Sequence, residues 1–170
     1  MNFDIIVIGS GPGGYPAAIR AAQLGKKVAI VERDELGGIC LNWGCIPTKA
    51  LLKSAQVFEY ISHAADYGIK VSSAKADFGG MVERSRGVAN GMSNGIKFLM
   101  KKNKITIIEG FGKLARGKKV EVTDSKGKVE SYTADHIILA TGGRARSLPN
   151  VPIDNKKIIG YRKAMTMEKQ

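Results

Sequence analysis

The chain opens with the stretch Ile5-Ile6-Val7-Ile8-Gly9-Ser10-Gly11-Pro12-Gly13-Gly14, in which an apolar run leads directly into a glycine-rich loop. An alanine-rich segment with helical periodicity follows as far as Gln23. A second apolar run, Val28-Ala29-Ile30-Val31, then ends in Glu32. Strand, glycine loop, helix and strand in this order define a βαβ unit, so the sequence predicts an α/β fold of the Rossmann type with a parallel sheet.

The glycines of this loop have the spacing of a nucleotide-binding fingerprint. Gly9 would allow the tight turn, Gly11 would let the backbone approach a pyrophosphate, and Gly14 would let helix and strand pack closely. The helix N-terminus favours anions through its free amides and its dipole. Glu32 ends the second strand, where an acid can bind ribose hydroxyls. The context favours a dinucleotide site over a glycine-rich structural turn but does not choose between FAD and NAD.

Both cysteines of the chain lie in one short segment, Gly37 to Lys49. A helix that begins near Cys45 would place its sulfur at the positive end of the helix dipole, which favours the thiolate. Cys40 is expected on the preceding loop, and Gly44 would bend that loop enough for a reversible Cys40–Cys45 disulfide. Lys49, one turn after Cys45, would place an ammonium on the same face. The pattern predicts a redox pair, and because a flavin accepts electrons from thiols, it favours FAD.

A stapling disulfide and a metal site are the alternatives for this pair. The chain shows no secretory signal, and a persistent staple is not expected in a reducing compartment. His63 and His136 have no metal-ligand spacing to either cysteine, so no metal is predicted.

The rest of the chain is predicted from periodicity and turn residues. Helices are expected from Cys45 to about Ser62 and from near Asp77 to Lys102. In the second, Gly87, Gly91 and Gly95 form one line that is expected to pack closely against a neighbour. The strands are expected at 105–109, at 119–123 and 129–133 as a small antiparallel hairpin insertion, and at 136–140 as a separate buried strand ending in Thr141-Gly142-Gly143.

Composition is that of an ordinary globular domain, with 44% hydrophobic and 25% charged residues in 170. The formal net charge is +12, but the basic residues are scattered and lack the interleaved aromatic residues of a nucleic-acid platform. No apolar run reaches the about 18 residues of a membrane span, and the N-terminus lacks a targeting pattern. We therefore expect a cytoplasmic protein with neither nucleic acid nor membrane as a partner.

The segment from Gly38 to Lys49, the N-terminal fingerprint and the strand end Ala140-Thr141-Gly142 together resemble the dithiol-disulfide flavoprotein reductases, the class I pyridine nucleotide-disulfide oxidoreductases. Leu41, Ile46 and residues 50–52 make the chain most similar to their dihydrolipoamide dehydrogenase branch. The resemblance covers the whole chain and implies a Rossmann-like FAD-binding domain with ββα-type layers. The departures from the usual pattern are Ile39, Trp43, Thr48 and Gly143, where Thr, Val, Ser and Ser are common.

By this resemblance, Cys40 is the interchange thiol and Cys45 is the charge-transfer thiol, and both are catalytic. The cofactors implied are FAD and, in the complete enzyme, NAD. The residues that the resemblance assigns to cofactor binding are Gly9, Ser10, Gly11, Pro12, Gly13, Gly14, Glu32, Arg33, Gly38, Ile39, Cys40, Cys45, Lys49, Gly112, Ala140, Thr141 and Gly142.

The implied reaction is the oxidation of dihydrolipoamide, carried on the lipoyl domains of 2-oxo acid dehydrogenase complexes, by a full-length homodimer. Residues 1–150 are expected to be an incomplete N-terminal part of the FAD-binding domain, and residues 151–170 a connector toward an absent NAD-binding domain. The chain alone is therefore expected to be inactive. A glutathione-type or mercuric-type reductase and a non-catalytic FAD-binding redox module are the alternatives.

Overall fold

The computed structural model describes residues 2–169. Its strands are β1 (Asn2–Ile8), β2 (Val28–Glu32), β3 (Thr106–Glu109), β4 (Phe111–Ala115), β5 (Lys119–Thr123) and β6 (Val129–Leu139). Its α-helices are α1 (Gly14–Gln23), α2 (Gly38–Trp43), α3 (Cys45–Ser62), α4 (Phe78–Lys102) and α5 (Tyr161–Ala164), with a 3₁₀ turn at Ala64–Tyr67. The predicted βαβ unit and the two long helices are confirmed.

The strands form one sheet in the order β3-β2-β1-β6-β5-β4. β3, β2, β1 and β6 are parallel neighbours, whereas β5 runs antiparallel to both β6 and β4. The chain leaves β1 toward β2 on one side and returns to β6 on the other. Ligands in open α/β sheets bind at the carboxyl ends of the strands where the order reverses, and in this sheet that place is the end of β1 and β6. The predicted α/β class with an antiparallel part is confirmed.

The two faces of the sheet bury alternate residues of the central strands. Ile6 and Ile8 of β1 face one core, with Val31 and the inner residues of β5. Val7 of β1 faces the other core, which also takes in apolar side chains of α1, α2 and α4. Both cores are continuous with the loop after β1, so the packing of the strands fixes the position of that loop.

The antiparallel strands fold back over the face that carries Ile8 and Val31. Gly112 of β4 crosses so close to that face that a Cβ on it would lie 3.0 Å from a methyl carbon of Ile8 and of Val31. A side chain at Gly112 would therefore lift β4 away from the core. This packing explains the glycine without reference to a ligand.

The predicted separation of a hairpin strand at 129–133 from a buried strand at 136–140 is wrong. β6 is one continuous strand because its first half pairs with β5 and its second half, from Thr133 to Leu139, pairs with β1. No described strand pairs with the other edge of that second half. As a result His136 is exposed, and Leu139 is 62% exposed. The strand β4 was not predicted.

The expected close packing of Gly87, Gly91 and Gly95 is also wrong. A Cβ built on any of the three would meet no described atom within 4 Å. Each glycine therefore costs helix stability without a compensating contact among residues 2–169.

We expect Gly91→Ala to raise the free energy of unfolding by about 0.5–1 kcal/mol, because alanine loses less backbone entropy in a helix than glycine does. Urea denaturation of the chain measures this change, with Gly14→Ala as the contrasting variant. In Gly14→Ala the new Cβ would overlap the carbonyl oxygen of Gly9. Destabilisation by Gly91→Ala would mean that this side of α4 has an unseen packing partner.

Candidate functional site

The glycine loop after β1 is held by its own backbone against the ends of β2 and β6. Gly9 has a φ of +99°, and a Cβ on it would overlap the carbonyl oxygen of Ala140. Its amide donates to the carbonyl of Val31 at 2.8 Å, and the amide of Ala140 donates to that of Ile8 at 2.8 Å. The left-handed turn and the missing side chain thus bring the ends of three strands together.

Gly14 and Gly11 serve different purposes in the same loop. A Cβ on Gly14 would overlap the carbonyl oxygen of Gly9, so Gly14 allows α1 to begin directly against the loop. A Cβ on Gly11 would meet nothing within 4 Å, because Gly11 borders an open cavity. Within residues 2–169 no side chain caps α1, and its first two amides, of Gly14 and Tyr15, donate to the carbonyl of Gly11 at 2.8 and 3.1 Å. An anion there would meet the helix dipole and the remaining amides of the loop. The predicted packing role of Gly14 agrees with this geometry.

Ser10 and Glu32 link the loop to the end of β2. Ser10 is fully buried, and both its amide and its hydroxyl donate to Oε2 of Glu32, at 2.9 and 2.6 Å. Oε1 of Glu32 accepts from the amides of Arg33 and Asp34 at 2.8 and 3.0 Å. The carboxylate is therefore fixed by protein donors, and it also lines the cavity.

The two cysteines lie on two successive helices rather than on a loop and a helix. Cys40 is in α2, which corrects the expectation that it lies on a loop. The helix forms because Gly37 and Gly38, with φ of +96° and +62°, turn the chain into it. The side-chain amide of Asn42 then donates to the carbonyls of Leu36 and Gly38, at 2.9 and 3.1 Å.

Cys45 is the first residue of α3, as predicted, so its sulfur lies at the positive end of a helix of 18 residues. Both thiols are free, and Cys45 is exposed while Cys40 is half-buried. Gly44 separates the two helices, and a Cβ on it would lie 3.0 Å from the carbonyl oxygen of Ile39. This close crossing lets α3 start beside α2.

The two thiols interact directly. The pKa of the Cys40 thiol is raised, chiefly because it hydrogen-bonds the Cys45 side chain, with burial as the next cause. The backbone amide of Cys45 and the charge of Lys49 act in the opposite direction and are outweighed. The neighbouring Cys45 side chain and burial thus disfavour the thiolate of Cys40. The positive charge of Lys49, which was expected beside Cys45, acts to lower the pKa of Cys40.

A cavity of about 720 Å³ runs along the carboxyl ends of the central strands. Most of the residues expected to bind the cofactor line it, namely Gly9, Ser10, Gly11, Pro12, Glu32, Arg33, Gly38, Ile39, Cys40, Gly112, Ala140, Thr141 and Gly142. Gly13, Gly14, Cys45 and Lys49 do not line it. Gly14 packs against the loop from behind, and Cys45 lies beside Cys40 on the next helix.

The cavity suits a dinucleotide in volume and in the chemistry of its walls. Ligand sites commonly measure about 300–1,000 Å³. One part of the wall is bare backbone around Gly11, beside the N-terminus of α1, which accommodates a diphosphate. Gly38 also presents only backbone to the cavity. A Cβ on it would lie 2.7 Å from the Cα of Gly11, so a side chain does not fit there. Cys40 lines the same cavity, so a thiol borders this nucleotide-sized site.

Several lining residues were not among those expected to bind the cofactor. Asp34 and Glu35 follow Arg33, just after the end of β2, and Trp43 lies between the cysteines, so their positions in the motifs could have suggested them. Tyr161 and Arg162 of α5 also line the cavity. Nothing in the local sequence indicates that these two residues return to the site.

Residues 2–169 contain neither a membrane-spanning helix nor a cluster of metal ligands. No helix among them is long and apolar enough to cross a membrane. Within the same residues no group of three or more His, Cys, Asp or Glu side chains could hold a metal ion.

A nucleotide-sized cavity of an α/β sheet, with one thiol at its wall and a second thiol beside it, is the arrangement of a nucleotide-dependent thiol-disulfide oxidoreductase. The chain belongs to the pyridine nucleotide-disulphide oxidoreductase family, whose model matches residues 3–169.

Within this family the chain is similar to dihydrolipoyl dehydrogenases. It is 51% identical to that of Rhizobium etli over 96% of the chain and 37% of the relative, and 50% identical to that of Zymomonas mobilis over 96% and 35%. The crystal structure of LpdA from Mycobacterium tuberculosis matches with a TM-score of 0.89 at 25% identity, over 97% of this chain and 37% of that one. The chain thus spans about a third of the length of these relatives.

Proposed function

We propose that this chain is the FAD-binding and dithiol-bearing part of a dihydrolipoyl dehydrogenase. The observation that carries the proposal is that Cys40 lines the same cavity as the glycine loop and that Cys45 begins the next helix beside it. A dithiol beside a dinucleotide site is what electron transfer between thiols and a flavin requires. The names of the similar bacterial relatives support dihydrolipoamide as the substrate.

FAD would be held chiefly by backbone. The loop from Gly9 to Gly14 would take the diphosphate at the N-terminus of α1. Glu32 would meet a ribose hydroxyl at the cavity wall, where the donors of Ser10, Arg33 and Asp34 already hold its carboxylate. Gly38, Gly112 and residues 140–142 would contribute close backbone walls. Lys49 and Cys45 do not line the cavity and would lie beyond Cys40, toward the redox end of the cofactor.

The thiol chemistry would proceed by two exchanges at sulfur. A thiolate of dihydrolipoamide attacks Sγ of Cys40, the Cys40–Cys45 disulfide breaks, and Cys45 leaves as a thiolate. The second substrate thiol then attacks the substrate sulfur of the mixed disulfide, which releases Cys40 and forms lipoamide. The substrate loses two electrons and two protons, and the cysteine pair gains the electrons. FAD, when bound, supplies the acceptor that returns the pair to the disulfide and passes hydride to NAD.

The assignment of the two sulfurs rests on the resemblance of the motif and on the position of Cys45 in the fold. Cys45 lies at the N-terminus of α3, where the dipole stabilises a leaving thiolate. The Cys45 side chain and burial raise the pKa of Cys40, which disfavours the thiolate there. Exposure alone would favour the opposite roles, with the substrate attacking Cys45, since Cys45 is the more exposed thiol.

NAD as the final acceptor, lipoyl domains of 2-oxo acid dehydrogenase complexes as partners, a homodimer and a cytoplasmic location belong to the same proposal. The family name supports a pyridine nucleotide and the names of the relatives support a dihydrolipoyl substrate, whereas the complexes, the homodimer and the location remain predictions from the sequence. The division into residues 1–150 and a connector 151–170 also remains a prediction.

We expect Gly11→Ala to weaken FAD binding by at least tenfold without loss of stability. The new methyl group would enter the cavity where the backbone should meet the diphosphate, and it touches no described protein atom. Titration of the apoprotein with FAD measures the dissociation constant, and urea denaturation measures stability. Gly13→Ala is the matched control for stability, and Gly91→Ala, on α4 away from the cavity, is the control for FAD affinity. Equal FAD affinity in Gly11→Ala, Gly91→Ala and the wild-type protein would contradict this site.

Substrate choice distinguishes the proposal from its rivals. The full-length protein should oxidise dihydrolipoamide with NAD and should not reduce oxidised glutathione or mercuric ion at a comparable rate. FAD binding without thiol-disulfide turnover would instead favour a non-catalytic redox module.

A further inference from the structure

Trp43, the one tryptophan of the chain, lies under two arginine guanidinium groups. It is the last residue of α2, is half-buried and lines the cavity beside Cys40. The guanidinium carbon of Arg86, on α4, is 4.6 Å from the indole ring, and that of Arg162, on α5, is 5.0 Å from it. These distances are within the range of cation–π attraction. One indole therefore contacts two helices besides its own.

Arg86 depends on the indole for part of its stabilisation. Its Nη1 donates to the carbonyl of Asn42 at 2.7 Å. Its Nε and Nη2 are buried and have no hydrogen-bond partner among the described residues. Burial lowers the pKa of Arg86, and the carboxylate of Glu35 opposes this effect. The indole ring is thus the group that offsets the loss of water around two of its nitrogens, and Arg86 in turn holds the ring in place.

Arg162 connects α5 to the same indole. It also forms an ion pair with Asp34, at 3.6 Å, and its pKa is raised chiefly by a hydrogen bond with the Tyr161 hydroxyl. The indole Nε1 donates to Oε2 of Glu35 at 3.1 Å. The two acids after β2 thus offset the two arginine charges and fix the ring edge. We call the set Trp43, Arg86, Arg162 and Glu35 the indole clamp.

The helix α5 has little else to hold it. It has four residues and buries none of them. A helix this short is not stable in water by itself, because nucleation is unfavourable. Its position must therefore come from contacts with neighbours, and Arg162 supplies the cation–π contact and the ion pair. Tyr161 and Arg162 line the cavity, so the docking of α5 completes one wall of it.

We propose that Trp43 is a positioning residue whose contact with Arg162 docks α5 against the redox helix α2 and so builds the cavity wall formed by Tyr161 and Arg162. The docking itself does not depend on the identity of the ligand. Its consequence for FAD rests on the proposed function.

Hydrogen exchange of the amides at the end of α5 tests the docking in the apoprotein. The amides of Ala164, Met165 and Thr166 donate within the helix, at 3.0, 3.1 and 3.1 Å. They should exchange about tenfold faster in Trp43→Leu, because loss of the cation–π contact favours the undocked segment. Trp43→Phe keeps an aromatic face and should restore most of the protection. Lys163→Gln removes a neighbouring charge on the same helix and should leave protection unchanged.

A double-mutant comparison assigns the effect to the pair. Arg162→Gln should accelerate exchange of the α5 amides less in Trp43→Leu than in the wild-type protein, because both changes remove the same contact. Fully additive effects, or unchanged exchange in Trp43→Leu, would overturn the proposal. So would an equal loss of protection in Lys163→Gln.

Titration with FAD forms a separate arm of the test. Trp43→Leu should bind FAD several-fold more weakly than the wild-type protein, and Trp43→Phe should bind it nearly as well. Normal protection of α5 in a wild-type protein that fails to bind FAD would contradict the proposed function and leave the clamp intact. Loss of protection with unchanged FAD affinity would overturn the assignment of this wall to the cofactor site.

Discussion

Cys45→Ser in the full-length protein should reduce dihydrolipoamide oxidation by more than about a thousandfold, because a serine hydroxyl can neither form the disulfide nor leave as a thiolate. Cys40→Ser should have an equally large effect on turnover. The two variants should differ in spectroscopy. On reduction, the long-wavelength absorption between a thiolate and bound flavin should vanish in Cys45→Ser and persist in Cys40→Ser.

Electron transfer from NADH to an artificial dye is the control for this experiment, because it does not require the sulfurs. Both variants should retain it, which would show that each still folds and binds its cofactors. The opposite spectroscopic pattern would reverse the two sulfur roles, as the greater exposure of Cys45 would suggest. Substantial turnover in either variant would contradict a redox function for the pair.

Gly9→Ala should destabilise the fold more than Gly11→Ala or Gly13→Ala in the same glycine loop. The φ of +99° costs a residue with a side chain about 1–3 kcal/mol, and the overlap of the new Cβ with the carbonyl of Ala140 adds to this cost. That carbonyl cannot move freely, because the amide of Ala140 is bonded to Ile8. The new methyl group therefore separates the ends of β1 and β6.

Urea denaturation measures the effect, and Gly13→Ala is again the matched control because its Cβ would meet no atom within 4 Å. We expect Gly13→Ala to change the free energy of unfolding by less than about 0.5 kcal/mol. If Gly9→Ala proves too unstable to purify, its yield relative to Gly13→Ala carries the same information. Equal stability of the two variants would contradict the close crossing of the loop and β6.

Much of the site could be predicted because it is encoded in local sequence. The turn at Gly9 and the helix start at Cys45 depend on residues within a few positions of themselves, and the structure agrees with both. Predictions failed where the outcome depended on partners far along the chain. Gly87, Gly91 and Gly95 look like a packing line, but only the tertiary structure shows that no described neighbour approaches them.

Local sequence was enough to predict the βαβ unit and the neighbouring positions of Cys40 and Cys45, since glycine conformation, apolar periodicity and helix starts act over short range. The tertiary structure made β6 one strand, because its first half pairs with the preceding strand β5 and its second half with the N-terminal strand β1. It also decided that Arg162 reaches Trp43. A contact between residues so far apart depends on the path of the whole chain, which no local pattern specifies.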